Sequence, residues 1–378
     1  MVLNEKVLFM KRIVFCFPPR GKLENKLYFR VRQFQEALSS HYLIDTIYTL
    51  SKTGQTKDRS PLIKRTLVFL IRLPAYILTI RKSSVVILYP SHLLFIWYLL
   101  ARLSNKPIIM DHFTTTEHPS DNLTIPKFAK SFFTFLDKKM YPKMSAIFTH
   151  SHKMKSVLID EYQLPDDKVH VFLSVVDTNR FKTKLDTPQK KRLINSLGIQ
   201  KYKFIALYHG LFHPFHGIDV IIQSAKLAQK SHPDIAFILI GRSEKEYVSK
   251  GNIFFIPPIP FDDLPRFLDL ADVWLGRFSP LSISERAFSS CMVQAMSMSK
   301  PIITSSSSVY ELIEKNQAGT LISAGDPNAL LKNIVYYQNH PDKLTTDGLN
   351  ARQTAIKQFS IPSYNQKLPK LISRIVNE

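Results

Sequence analysis

KFIALYHGLFHPFHGIDVIIQSAKLAQKSHPDIAFILIG, residues 203–241, contains one complete βαβ unit. Residues 203–210 are an apolar run of strand length, 217–231 hold apolar residues at helical spacing, and 234–241 are a second apolar run. Strands without polar alternation are buried on both faces, and a helix between two of them implies parallel pairing through a crossover. The pattern continues downstream with strands at 252–259, 272–277 and 300–306 and helices at 264–271 and over CMVQAMSMS. Upstream, strands are expected at 12–17, 44–50, 85–90, 106–113, 145–151 and 168–175. Helices are expected after Asn25, at 91–104, at 128–144 and over KMKSVLIDEYQ. The fold class is therefore α/β, with two Rossmann-like doubly wound domains at 1–180 and 201–360. Residues 181–200, polar and aperiodic, read as a linker, and 361–378 as a C-terminal helix, with packing back on the first domain as one place for it. Two such sheets facing a central cleft would bind ligands beyond the carboxyl ends of their strands.

Composition bounds the function. At roughly 150 residues per domain, 378 residues suit two domains, and 45% hydrophobic residues exclude a disordered chain. Two cysteines, Cys16 and Cys291, are too few for a disulfide framework or a cysteine zinc site, so a reducing compartment is expected. The apolar VLF near Lys6, Lys11 and Arg12 lacks a following cleavage site, which points to cytoplasmic retention. The net charge is +21, and residues 1–180 carry +13 of it. Residues 62–80, interrupted by Lys64, Arg65, Arg72 and Pro74, fall short of the roughly 18 uncharged apolar residues that span a bilayer. They read as one or two amphipathic helices. Phe69, Tyr76, Phe95, Trp97 and Tyr98 interleave with the cations, which favours an anionic membrane surface as partner. The plain alternative is a solvated basic face over ordinary core. Nucleic acid is not expected, because no helix-turn-helix, RNP-type or zinc-finger pattern accompanies the charge.

The densest chemistry lies in SERAFSSCMVQAMSMSKPIITSSSSVYEL, residues 284–312. A Ser-rich turn at a helix start offers backbone N–H groups to an anion such as a pyrophosphate, and Arg286 can add a fork of donors. A surface loop with a Glu285–Arg286 ion pair is the bland alternative. His209, His213 and His216 share one loop, but no carboxylate or cysteine completes a metal-ligand spacing there. His150 and His152 lie at another strand end.

These residues resemble the retaining glycosyltransferases of family four, which have the GT-B fold. The resemblance rests on ADVWL (271–275), ERAF, VQAMSMSKPIITSSSSVYELI and AGTLISAGDPNAL (318–330), with VFLSVVDTNRF (171–181) and YHGLFHPFHGIDVII (208–222) upstream. It covers most of the chain and is best over 171–330. It implies a nucleotide-diphosphate sugar bound by the second domain, an acceptor bound by the first, and retention at the anomeric carbon, with neither metal nor other cofactor. Gln294 takes the place of the family's second Glu, at the donor ribose. Arg286 falls at the first Glu position, with Glu285 one residue away for the sugar hydroxyls. His216 stands where a pyrophosphate-binding Lys is usual. Gly210, Phe288, Ser289 and Ser290 complete the donor loops, and Glu311 serves the loop or the sugar. His112, with Asp111 as alternative, is the candidate for acceptor or sugar contact. Arg20 and Gly21, in PPRGKLEN, join Lys64, Arg65 and Arg72 on the acceptor or membrane side.

The implied function is hexose transfer to a lipid-linked or cell-surface glycan acceptor at the cytoplasmic membrane face, by an enzyme held peripherally there. Because both motif glutamates are displaced, a non-catalytic GT-B subunit scaffolding a partner glycosyltransferase is the alternative. A soluble sugar-phosphate-binding protein is a weaker one.

Overall fold

A computed structural model describes residues 10–17, 26–48, 62–89, 93–112, 127–173, 175–182, 184–243, 246–281 and 289–377. The chain divides into two units, Met1–Leu173 with Tyr364–Glu378, and Ser174–Ser363.

Unit 1 alternates β1 (Arg12–Phe17), α1 (Lys26–Leu38), β2 (Leu43–Tyr48), α2 (Leu62–Arg81), β3 (Val85–Leu88), α3 (Leu94–Leu103), β4 (Ile108–His112), α4 (Lys127–Met140), β5 (Ala146–Thr149), α5 (His152–Tyr162) and β6 (Val169–Val171). The strands form one parallel sheet in the order β2-β1-β3-β4-β5-β6. All four residues of β3 and all five of β4 are buried, as a sheet covered on both faces requires. Ser151 caps α5 by accepting the Met154 N–H at 3.0 Å, and Gln163 ends it in the left-handed region.

The basic apolar stretch forms a single helix, α2, with Pro74 inside it on an exposed position. Its inner side sets Phe69 and Tyr76 against the buried Trp97 of α3, with ring centroids 5.7 and 5.5 Å away. Its outer side leaves Leu70, Ile71 and Leu78 exposed. Among the described residues no helix is long and apolar enough to cross a membrane.

Unit 2 begins with α6 (Thr187–Leu197) and continues through β7 (Phe204–His209), α7 (Ile218–Ser231), β8 (Ile235–Ile240), β9 (Ile253–Ile256), α8 (Leu264–Leu270), β10 (Val273–Leu275), α9 (Ser290–Ser297), β11 (Ile302–Ser305), α10 (Glu311–Lys315), β12 (Gly319–Ile322), α11 (Pro327–Asn339) and α12 (Pro341–Phe359). Its six strands are parallel, in the order β12-β11-β10-β7-β8-β9. The stretch read as a linker contains α6 and falls within this unit. Asp186 caps that helix through the Gln189 N–H and Gly198 terminates it, but none of its residues is buried, so no apolar period marks it. The last helix, α13 (Ile361–Asn377), buries Tyr364, Leu368, Ile372 and Ile375, one stripe at helical spacing. From Tyr364 onward it belongs to unit 1, where Tyr364 stacks on Phe34 of α1 with centroids 5.6 Å apart. Two six-stranded parallel sheets in Rossmann-like units are the GT-B architecture expected from the sequence.

Candidate functional site

In unit 2 the chain runs outward from β7 to β9 and then returns to the other side of β7 with β10, so the topological switch lies between β7 and β10. Ligands of doubly wound sheets bind at the carboxyl end of such a switch. His209 and Gly210 lie at that end of β7, and Gly276 and Arg277 follow β10. Three glycines let the loops there close on each other. A Cβ on Gly210 would sit 3.0 Å from the Tyr208 hydroxyl and 3.7 Å from Sγ of Cys291, which places this loop against the first turn of α9. One on Gly276 would collide with Oγ1 of Thr304. Gly217 adopts φ +71° just before α7, and a Cβ there would lie 2.5 Å from the backbone N of Ser279. The Phe278 N–H donates to the His216 carbonyl at 3.0 Å, which ties the β7 loop to the β10 loop.

Several polar groups are buried at this end. The Trp274 indole N–H donates to Nδ1 of His209 at 2.9 Å, and Nε2 of His209 lies 2.8 Å from Oε1 of Gln294 on α9. His216 turns Nδ1 to the Leu211 carbonyl at 2.6 Å, and the Tyr208 hydroxyl donates to the same carbonyl at 2.7 Å. Arg277 is buried, with its guanidinium carbon 5.8 Å from the Phe215 ring centroid. Burial pushes the Tyr208 and Tyr310 hydroxyls up, and the Arg277 cation pulls both partly back. Ser289 precedes α9 in extended conformation without a side-chain cap hydrogen bond. The first-turn amides of an eight-residue helix, with a buried cation near the same loops, make a site suited to an anion.

The structure gathers Gly210, His216, Ser289, Ser290 and Gln294 in this one region of unit 2. Glu311 is exposed in the first turn of the five-residue α10, directly after the buried Tyr310. Arg20, Gly21, Glu285, Arg286 and Phe288 lie outside the described residues. Lys64 and Arg65 are on α2 with side chains outside the description, and Arg72 is half-buried on the same helix.

In unit 1, His112 ends β4 fully buried, with Nδ1 2.8 Å from the Tyr141 hydroxyl. Its alternative, Asp111, is engaged by Arg30 of α1 through contacts of 2.8, 2.9 and 3.2 Å, while the same guanidinium donates to the Phe172 carbonyl at 2.7 Å. Burial lowers the Arg30 pKa and Asp111 more than restores it, so the cation is held. Asp111 thus ties α1 to β4. Among the described residues no group of three or more His, Cys, Asp or Glu side chains could hold a metal ion.

The sequence patterns do not mark Arg277 or Trp274 as site residues, and they mark His209 only as one of three histidines in a loop without metal-ligand spacing. The available signal for Arg277 was its place directly after ADVWLG, beyond the carboxyl end of a strand. The relay through Trp274 and His209 leaves no sequence signal, because its members are 65 and 85 positions apart.

Residues 203–339 match the family model described as glycosyl transferases group 1. This stretch is a group 1 glycosyl transferase domain. It overlaps the region 171–330 where the resemblance to family four is best, and by it the chain is a glycosyltransferase. Comparison with proteins of curated function finds no match. Solved structures agree in fold along the glycosyltransferase's length. A glycosyltransferase from Rickettsia africae superposes with a TM-score of 0.76 at 15% identity, covering 98% of this chain and 100% of the other. HepE from Anabaena, solved in complex with UDP and glucose, gives 0.72 at 15% identity over 96% and 99%. WaaG, a glycosyltransferase involved in lipopolysaccharide biosynthesis, gives 0.66 at 13% identity over 96% and 99%.

Proposed function

We propose that this glycosyltransferase moves a hexose from a nucleotide-diphosphate sugar, bound by unit 2, to a lipid-linked or cell-surface glycan acceptor, with retention at the anomeric carbon. The observation that carries the donor half is the switch point of unit 2. There the N-terminus of α9, the loop 210–217 and Arg277 converge beyond the strand ends. As the bond from the anomeric carbon to the diphosphate breaks, negative charge grows on the leaving phosphate. Fixed amide dipoles and a cation held away from water stabilise that charge without reorganising. In this reading Arg277 and Arg286 face the diphosphate, and Gln294 meets the ribose. Glu285 holds the sugar hydroxyls, Glu311 supports the loop or the sugar, and His216 braces the donor loop through its Nδ1 contact with the Leu211 carbonyl. His112 takes the acceptor side. HepE, a structure of the same fold, holds UDP and glucose, which supports a uridine donor.

The acceptor half rests on unit 1. Leu70, Ile71 and Leu78 of α2 and Phe128, Phe132 and Phe135 of α4 are exposed, and Lys138 and Lys139 end α4. Apolar side chains beside cations suit the surface of an anionic bilayer, and a lipid-linked acceptor would be met there. WaaG's role in lipopolysaccharide biosynthesis accords with such an acceptor.

Two experiments test the proposal. Calorimetric titration should show UDP binding, and Arg286→Ala should abolish sugar transfer while leaving the melting temperature near wild type. Undiminished turnover in that variant would refute the donor assignment. For the membrane half, the protein should pellet with phosphatidylglycerol vesicles, and the triple variant Phe128→Ser, Phe132→Ser, Phe135→Ser should pellet much less. Equal pelleting would refute that face as the contact.

A further inference from the structure

Trp274, His209 and Gln294 form a line of hydrogen bonds that runs from the core of unit 2 to the first turns of α9. An indole nitrogen only donates, so Nδ1 of His209 accepts from Trp274 at 2.9 Å. The ring proton therefore sits on Nε2, which donates to Oε1 of Gln294 at 2.8 Å. Rotating the carboxamide by 180° would set its NH2 against the Nε2–H, donor against donor. The orientation of the amide is thus decided by Trp274, two residues back along a chain of one-way donors. All three side chains are buried, at 1%, 5% and 8% exposure, and the Gln294 NH2 has no partner among the described residues. What Gln294 presents outward is a pair of N–H donors and no acceptor.

We infer that His209 and Trp274 are positioning residues for nucleotide recognition. They lock Gln294 so that it donates to a ribose hydroxyl oxygen, and this enzyme reads the ribose as a hydrogen-bond acceptor. A carboxylate at 294 would demand a hydroxyl hydrogen instead. The inference rests on the donor-site reading above, through the placement of Gln294 at the ribose. It goes beyond that reading in assigning the direction of the hydrogen bond and the two residues that enforce it.

The test has a ligand-free arm and a binding arm, both on the full chain. In 15N-detected imidazole spectra, His209, assigned by its absence from His209→Phe, should show the Nε2–H tautomer. Trp274→Phe should turn it into a mixture. In calorimetry, wild type should bind 2′-deoxy-UDP or 3′-deoxy-UDP about five- to tenfold more weakly than UDP, the scale of one lost hydrogen bond. In Trp274→Phe that ratio should fall below about twofold, because the amide is then free to turn. His209→Phe, which keeps a ring and removes both hydrogen bonds, should do the same and serves if Trp274→Phe melts early. An Nδ1–H tautomer in wild type, or an unchanged ratio in both variants, overturns the positioning role. Absence of UDP binding with the Nε2–H tautomer intact overturns instead the donor-site reading on which it rests.

Discussion

Replacing Gly217 by alanine sets a methyl group into the seam between the β7 and β10 loops. Two costs add. The residue keeps φ +71°, where an L side chain is disfavoured by about 1–2 kcal/mol. The new Cβ also falls 2.5 Å from the Ser279 nitrogen, 2.6 Å from the Phe278 carbonyl carbon and 3.0 Å from the Phe278 Cα. These are backbone atoms, so relief requires moving the 278–279 segment and weakening the Phe278 N–H to His216 carbonyl bond. Overpacking of this kind costs about 1–3 kcal/mol. The expected loss is about 2–5 kcal/mol, a large share of a typical stability of about 5–15 kcal/mol. Gly198 supplies the control, since it has φ +67° but nothing within 4 Å of a built Cβ, so alanine there carries the conformational cost alone. The assay is urea unfolding followed by tryptophan fluorescence. The chain has two tryptophans, Trp97 and Trp274, so a Trp97→Phe background makes the signal report unit 2. Equal destabilisation by Gly217→Ala and Gly198→Ala would refute the close-approach argument.

Three further outcomes are expected. Arg30→Met strands the buried Asp111 carboxylate and should cost about 3–5 kcal/mol; Arg30→Met with Asp111→Asn should recover part of it in urea unfolding. Arg277→Met should weaken UDP binding by more than about tenfold while affecting uridine little, since it removes a charge facing phosphate; a uridine affinity that falls equally would place Arg277 elsewhere. Burial pulls the Lys300 ammonium down to about 8, although Asp269 and Asp272 hold it up. From pH 8 to roughly 10.5 the unfolded chain therefore binds more protons than the folded one, and this group makes stability rise with pH. Lys300→Met should flatten that rise in denaturation midpoints measured at pH 8, 9 and 10, and an unchanged slope would exclude Lys300 as its source.

Most of the parallel strands were legible because each is an apolar run short enough to be a strand and bounded by turns, as in RIVFCF or FIALYH. β6 and β9 stop four and three residues short of the expected runs, and β12, a four-residue strand with only one buried residue, shows no such run. The exposed α6 was not legible, since a helix that buries nothing leaves no periodic trace and shows only its caps, Asp186 and Gly198. In the candidate site, Gly210, Ser289, Ser290 and Gln294 could be picked from local pattern and family resemblance. Arg277 shows only its position after a strand, a signal too weak by itself to separate it from the other arginines.

Hydrophobic periodicity along the chain was enough to set the class of architecture, because burial on both faces of a sheet acts on each strand's own residues. The direction in which Gln294 presents its amide, and the loss of Asp111 to Arg30, depend on partners dozens of positions away. Hydrogen bonds and ion pairs act over about 3 Å of space without regard to chain separation, so folding alone brings those groups within reach.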